Sequence, residues 1–124
     1  GCHRIKEKIG GSAPKGAVFR GRRWTGEIAE IRTDQAAGGD DCVTSRILRL
    51  EGLEPGKNRG KGVSSFYRYI YIHGTPEECL IGTPASHGCI RMKNDDMIAL
   101  FDKVEVNTLV MIVFCAEGVY GRSS

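Results

Sequence analysis

From Tyr67 to Ile72 the chain is dense in aromatic and β-branched residues, and the run leads straight into His73. A short segment of that composition reads as a strand. Sixteen positions after His73 comes Cys89, inside Ser86-His87-Gly88-Cys89-Ile90-Arg91-Met92. A strand ending on an imidazole, followed by a loop that returns a thiol, is a compact way to build a Cys-His site. A thiol needs a nearby base or cation to become a useful nucleophile. His73 and His87 are two candidate bases close in sequence, and Gly88 suits an exposed turn before the cysteine.

The other segments are short and mostly extended. Ala17 to Arg20 reads as a strand followed by a basic turn, and Glu27 to Ile31 alternates as a half-buried strand would. Val43 to Leu50 is another strand. Gly10 to Gly16 and Thr33 to Asp41 are loops, and Gly52 to Gly62 is expected to be an exposed, mobile connection. One helix is well signalled: Asn94 is placed as its N-cap, with Asp95 and Asp96 where the helix dipole favours negative charge. Met97, Leu100, Phe101 and Val104 recur at helical spacing, Asn107-Thr108 ends the helix, and Leu109 to Phe114 reads as a buried strand. The pattern predicts a mainly β domain with one helix after the cysteine.

At 124 residues the chain is read as one domain, 1–124. It has no run of eighteen apolar residues, so no membrane span is expected, and no leader is visible. A net charge of +3 is not a nucleic-acid footprint. The basic groups Arg20, Arg22, Arg23 and Lys57, Arg59, Lys61 read as solvated loops or as contacts to an acidic polymer such as a cell wall. Five cysteines are an odd number. With Cys89 set aside, Cys2, Cys42, Cys79 and Cys115 either form two bridges or are small, mostly buried residues; no CxxC pair supports a redox motif. His3 reads as an isolated terminal histidine without function.

Ile72-His73-Gly74-Thr75 followed by Ser86-His87-Gly88-Cys89-Ile90-Arg91-Met92 resembles the signature of the L,D-transpeptidase catalytic domain (YkuD-like). The likeness extends back through Arg46 to Gly52 and Ala13 to Gly21. It implies a β-sandwich with one helix after the catalytic cysteine, here lacking the family's first N-terminal strands, which would leave an open sheet edge. It also implies a periplasmic or wall-facing enzyme acting on peptidoglycan stem peptides through a thioester. The acyl group would pass to an amine of another stem peptide or of a wall-anchored lipoprotein, with carbapenem-type β-lactams as acylating inhibitors and no metal or cofactor. By the same resemblance Cys89 is the nucleophile and His73 the base, oriented by the Gly74 carbonyl. Backbone N–H groups of Gly88 and Cys89 form the oxyanion hole, and His87 and Ser86 shape the site. Arg91, where many relatives carry Asn, matches a Gram-negative-type branch. It is expected to bind a substrate carboxylate, the alternative being a pair with Asp95 or Asp96. Tyr71 is expected to wall the substrate groove or belong to the core.

Three rival readings stay open at this level. His73, His87 and Cys89 with another cysteine are possible zinc ligands, although no tight ligand pair is present. The same site with water as acceptor would be a carboxypeptidase or hydrolase. A wall-binding module without catalysis is the third.

Overall fold

A computed structural model describes residues 1–32, 42–60, 62, 64, 66, 70–81 and 89–112. Its elements are β1 (Cys2–Ile9), β2 (Ala17–Arg20), β3 (Arg23–Ile28), β4 (Val43–Gly52), β5 (Tyr71–Gly74), a 3-10 turn (Glu78–Leu80), β6 (Ile90–Met92), α1 (Asn94–Lys103) and β7 (Leu109–Met111). The fold is mainly β and sandwich-like, with a single helix following the cysteine.

β4 is the spine of the sheet. One of its edges pairs with β5 between Thr44 and Arg49. The other edge takes β1 opposite Ile47–Gly52 and then β2 opposite Val43 and Thr44. β7 adds outside β1, β3 outside β2, and β6 lies parallel to β5.

Apolar clusters cover both faces of this sheet. Ile5, Leu48, Leu50, Ile70 and Ile72 pack with Met97 and Phe101 of α1 on one face. Ala13, Ala17, Phe19 and Ile47 form the other cluster, joined by Ile9 and Tyr71. Strand alternation sends Leu48 and Leu50 to the helix side and Ile47 to the opposite side. Met97 and Phe101 are the inward stripe of the helix, and burying each contributes about 1.5–3 kcal/mol.

β1 contributes to both clusters, which a regular strand could not do with Ile5 and Ile9. Residues four apart share a face, yet Ile5 lies opposite Leu50 and Ile9 opposite Ile47. The register shift between Ile5 and Glu7 is a bulge that turns the strand over. This bulge also hides β1 from sequence reading, because the alternation breaks at Lys6-Glu7.

Several expectations are corrected. β3 runs Arg23–Ile28, is exposed at every position and pairs with β2 at the margin of the sheet, so the alternation at Glu27 to Ile31 does not mark burial. The connection after Gly52 is tied down. Asn58 is buried, donates from Nδ2 to the Cys2 carbonyl at 3.1 Å and accepts the Glu54 N–H at 2.8 Å. A Cβ on Gly52 would lie 1.9 Å from the Asn58 carbonyl oxygen, so the turn closes only over glycine. His3 is buried within β1, its Nδ1 3.0 Å from the Gly1 carbonyl. Asn94 is not the cap of α1: the N-cap is Lys93, without a side-chain hydrogen bond. The Glu78 carboxylate accepts the Asn94 N–H at 2.8 Å instead, a negative group at the positive end of the helix. The last strand, expected to be buried, is exposed at Leu109 and Met111. The loop expected at Thr33 to Asp41, the Tyr67 to Tyr69 strand start and the end of the last strand beyond Ile112 lie outside the described residues.

Candidate active site

The parallel pairing of β5 with β6 builds the site. Ile72 is level with Ile90, His73 with Arg91 and Gly74 with Met92. Across the other edge of β5, Ile47 is level with His73 and Arg49 with Tyr71. Residues level across a sheet share a face. Ile47, His73 and Arg91 therefore form one row over three strands, and Arg49 and Tyr71 form the next. Cys89 directly precedes β6. It therefore enters the strand that lies beside His73 and Gly74. The core enforces this choice of face. Ile72, Ile90 and Met92 pack into the cluster under α1, so the alternate positions take the opposite side.

His73 is buried, and its Nδ1 lies 2.7 Å from the Gly74 carbonyl oxygen. A carbonyl can only accept, so Nδ1 carries the proton and Nε2 is the basic nitrogen. Gly74 is sterically required: an added Cβ would lie 2.6 Å from the Thr44 carbonyl oxygen and 2.7 Å from Asn94 Oδ1.

The face is rich in guanidinium groups. Gly21 and Arg22, at φ 56° and 65°, form the two-residue turn between β2 and β3. From this turn Arg22 donates to the Tyr71 hydroxyl at 3.2 Å. Arg49 bonds Glu7 at 3.0 Å and the Phe66 carbonyl at 3.1 Å, and it stacks 3.6 Å from the Phe66 ring centre. Arg91 is half-buried beside His73. Asp95, one of the acids considered for it, pairs with Lys15 at 3.0 Å.

A buried polar hub lies behind Gly74, and sequence reading missed it by treating Asn94 as a cap. Asn94 Oδ1 accepts from Thr44 Oγ1 at 2.6 Å and Ser45 Oγ at 2.5 Å. Its Nδ2 donates to the Thr75 carbonyl and to Glu78 Oε2, both at 2.8 Å. Arg49 and Arg22 were equally invisible as site neighbours, since pairing across β4 and the β2–β3 turn brings them there.

Ser86, His87 and Gly88 lie outside the described residues. Cys2, Cys42, Cys79 and Cys89 are half-buried and none is in a disulfide, and Cys115 lies outside the described residues. Among the described residues no group of three or more His, Cys, Asp or Glu side chains could hold a metal ion, and no helix is long and apolar enough to cross a membrane. A cavity of about 550 Å³ opens where β1 meets β7, lined by Cys2, His3, Leu53, Glu54 and Leu109 to Met111. None of the candidate site residues among those described lines it.

The profile of the L,D-transpeptidase catalytic domain (YkuD) matches residues 1–112. The chain is 40% identical over 96 residues to the Escherichia coli protein named probable L,D-transpeptidase YbiS, covering 75% of this chain and 28% of that protein. It is 43% identical over 100 residues to the Salmonella typhimurium protein named probable L,D-transpeptidase ErfK/SrfK, covering 74% of this chain and 32% of that one. The chain thus spans less than a third of the length of either relative. No solved structure matches it.

Proposed function

The chain belongs to the L,D-transpeptidase catalytic domain family, and from that membership we propose that residues 1–124 act on peptidoglycan stem peptides by acyl transfer through Cys89. His73 Nε2 takes the thiol proton, and the sulfur attacks the carbonyl carbon that precedes the terminal D-alanine. The tetrahedral oxyanion is held by the backbone N–H groups of Gly88 and Cys89. The bond to D-alanine breaks, its nitrogen takes the proton back from His73, and a thioester on Cys89 remains. An incoming amine, from a second stem peptide or a wall-anchored lipoprotein, loses its proton to His73 and attacks the thioester carbonyl; the new amide forms as the carbon–sulfur bond breaks, and the Cys89 thiolate takes the proton from His73. Water in that place gives the carboxypeptidase outcome. Arg91 binds a carboxylate of the peptide, Tyr71 walls the groove, and Ser86 and His87 shape the loop before the nucleophile. The steps use no cofactor, and the place of action is the wall-facing side of the cell.

The observation that carries this reading is His73: its Nδ1 is fixed on the Gly74 carbonyl, in the row beside the strand that Cys89 enters. The guanidinium groups of Arg22 and Arg91 near this row suit a substrate that carries carboxylates, whereas that of Arg49 is buried and already paired with Glu7. Incubation with a carbapenem, read by intact-protein mass, tests it. One adduct on the wild type and none on Cys89→Ala is the expected result. An adduct retained by Cys89→Ala, or none on the folded wild type, overturns the nucleophile. A stem tetrapeptide with and without an added amine then separates transfer from hydrolysis.

A further inference from the structure

We propose that Asn94 is a positioning residue for His73, acting through the backbone on either side of the Gly74 carbonyl; this rests on His73 being the base. All four hydrogen-bonding positions of the Asn94 amide are occupied, two as acceptor and two as donor. Asn94, Thr44, Ser45 and Thr75 are all fully buried. A saturated network in a low-dielectric interior has one geometry, because each lost bond leaves a buried polar group without a partner.

The network converges on the residue that orients the imidazole. Thr44 is level with Gly74 in the β4–β5 pairing. Asn94 Oδ1 lies against the Gly74 Cα, where an added Cβ would be 2.7 Å from it. Asn94 Nδ2 holds the next carbonyl along, that of Thr75. The chain is thus pinned before and after the carbonyl that accepts from His73 Nδ1.

Backbone strain points the same way. Consecutive strand residues face opposite sides, yet Thr44 and Ser45 both donate to one oxygen. They do so because β4 bulges between Thr44 and Ile47, with Ser45 at φ 71°. A non-glycine residue in that region costs about 1–2 kcal/mol. Such strain persists where the surroundings over-determine it and clusters at functional sites. Anchoring α1 alone would not require it, since Met97 and Phe101 already bury the helix face.

The test is the iodoacetamide alkylation rate of Cys89 against pH, read by peptide-resolved mass spectrometry. It compares wild type, His73→Ala, Asn94→Ala and Leu100→Ala, the last weakening helix packing away from the hub. Asn94→Ala should slow alkylation at neutral pH by about tenfold, a fraction of the roughly 10²–10⁴ that loss of a general base costs. Its profile should move toward that of His73→Ala, while Leu100→Ala keeps the wild-type profile despite a lower Tm. An Asn94→Ala profile superimposed on wild type overturns the proposal, as does an equal displacement in Leu100→Ala. Should Asn94→Ala fail to fold, Thr44→Val decides: a smaller displacement in the same direction supports it and an unchanged profile overturns it. A wild-type profile indifferent to His73→Ala overturns the base assignment itself, and the positioning role with it.

Discussion

At His73 two neighbouring residues of one strand meet through a single hydrogen bond. The ring donates to the carbonyl of the next residue, so tautomer and orientation follow from the backbone rather than from a carboxylate. The proposed base should therefore be sensitive to Gly74. Gly74→Ala puts a methyl 2.6 Å from the Thr44 carbonyl oxygen, against backbone that cannot rotate away. Its expected cost is at least the ~1–3 kcal/mol of an overpacked core, with loss of carbapenem acylation in whatever fraction stays folded. Urea denaturation and adduct mass measure the two effects. In single-turnover acylation His73→Ala should slow the rate by roughly 10²–10⁴, and His87→Ala by much less. The reverse order would exchange their roles.

Among the elements, the helix start depends on a carboxylate from elsewhere in the chain, and the turn after β4 sends one of its own to β1. Glu78 accepts both the backbone and the side-chain N–H of Asn94 at 2.8 Å. Glu78→Ala should lower stability by about 1.5–3 kcal/mol, while Glu78→Gln, which keeps an acceptor oxygen, should lose less. Equal losses in thermal melts would show that the hydrogen bonds carry little of the effect. Glu54 accepts the Cys2 N–H at 2.6 Å, and that bond, with Lys57 adding to it, holds the carboxyl below the usual carboxylate range. A carboxyl lowered in the folded state stabilises above its ordinary titration range, and the contribution is lost as pH falls through the lowered value. The Cys2 amide should therefore lose hydrogen-exchange protection in acid before Leu48 does, and Glu54→Gln should remove that pH dependence.

For the whole molecule, one sheet separates two apolar clusters, and the proposed chemistry lies on the face away from α1. Ile47 and Ile72 belong to opposite clusters. Ile47→Val and Ile72→Val should each cost about 0.5–1.5 kcal/mol and add within about 0.5 kcal/mol in a double-mutant cycle. A larger coupling would mean that the sheet transmits strain between its faces. Much of the molecule was legible in the chain alone: the strand into His73, the strand over Val43 to Leu50, the helix after Cys89 and the candidate thiol and imidazole. These are local features, written in side-chain periods of two and 3.6 residues and in a compact motif. The rest was not legible because it depends on pairing between distant segments. The bulge in β1 turns Ile9 to the second cluster, the bulge in β4 aims two hydroxyls at one amide, and both interrupt the periods a reader relies on. Asn94 has the sequence context of a helix cap, yet its side chain bonds the sheet, because Glu78 reaches the helix end from sixteen residues upstream. The sequence by itself determined the strand over Val43 to Leu50, the strand into His73 and the helix after Cys89, and it pointed to a candidate nucleophile. Only the tertiary structure decided which face each side chain takes and which buried polar groups hold the imidazole in place, since register and hydrogen-bond saturation exist only once the strands are paired.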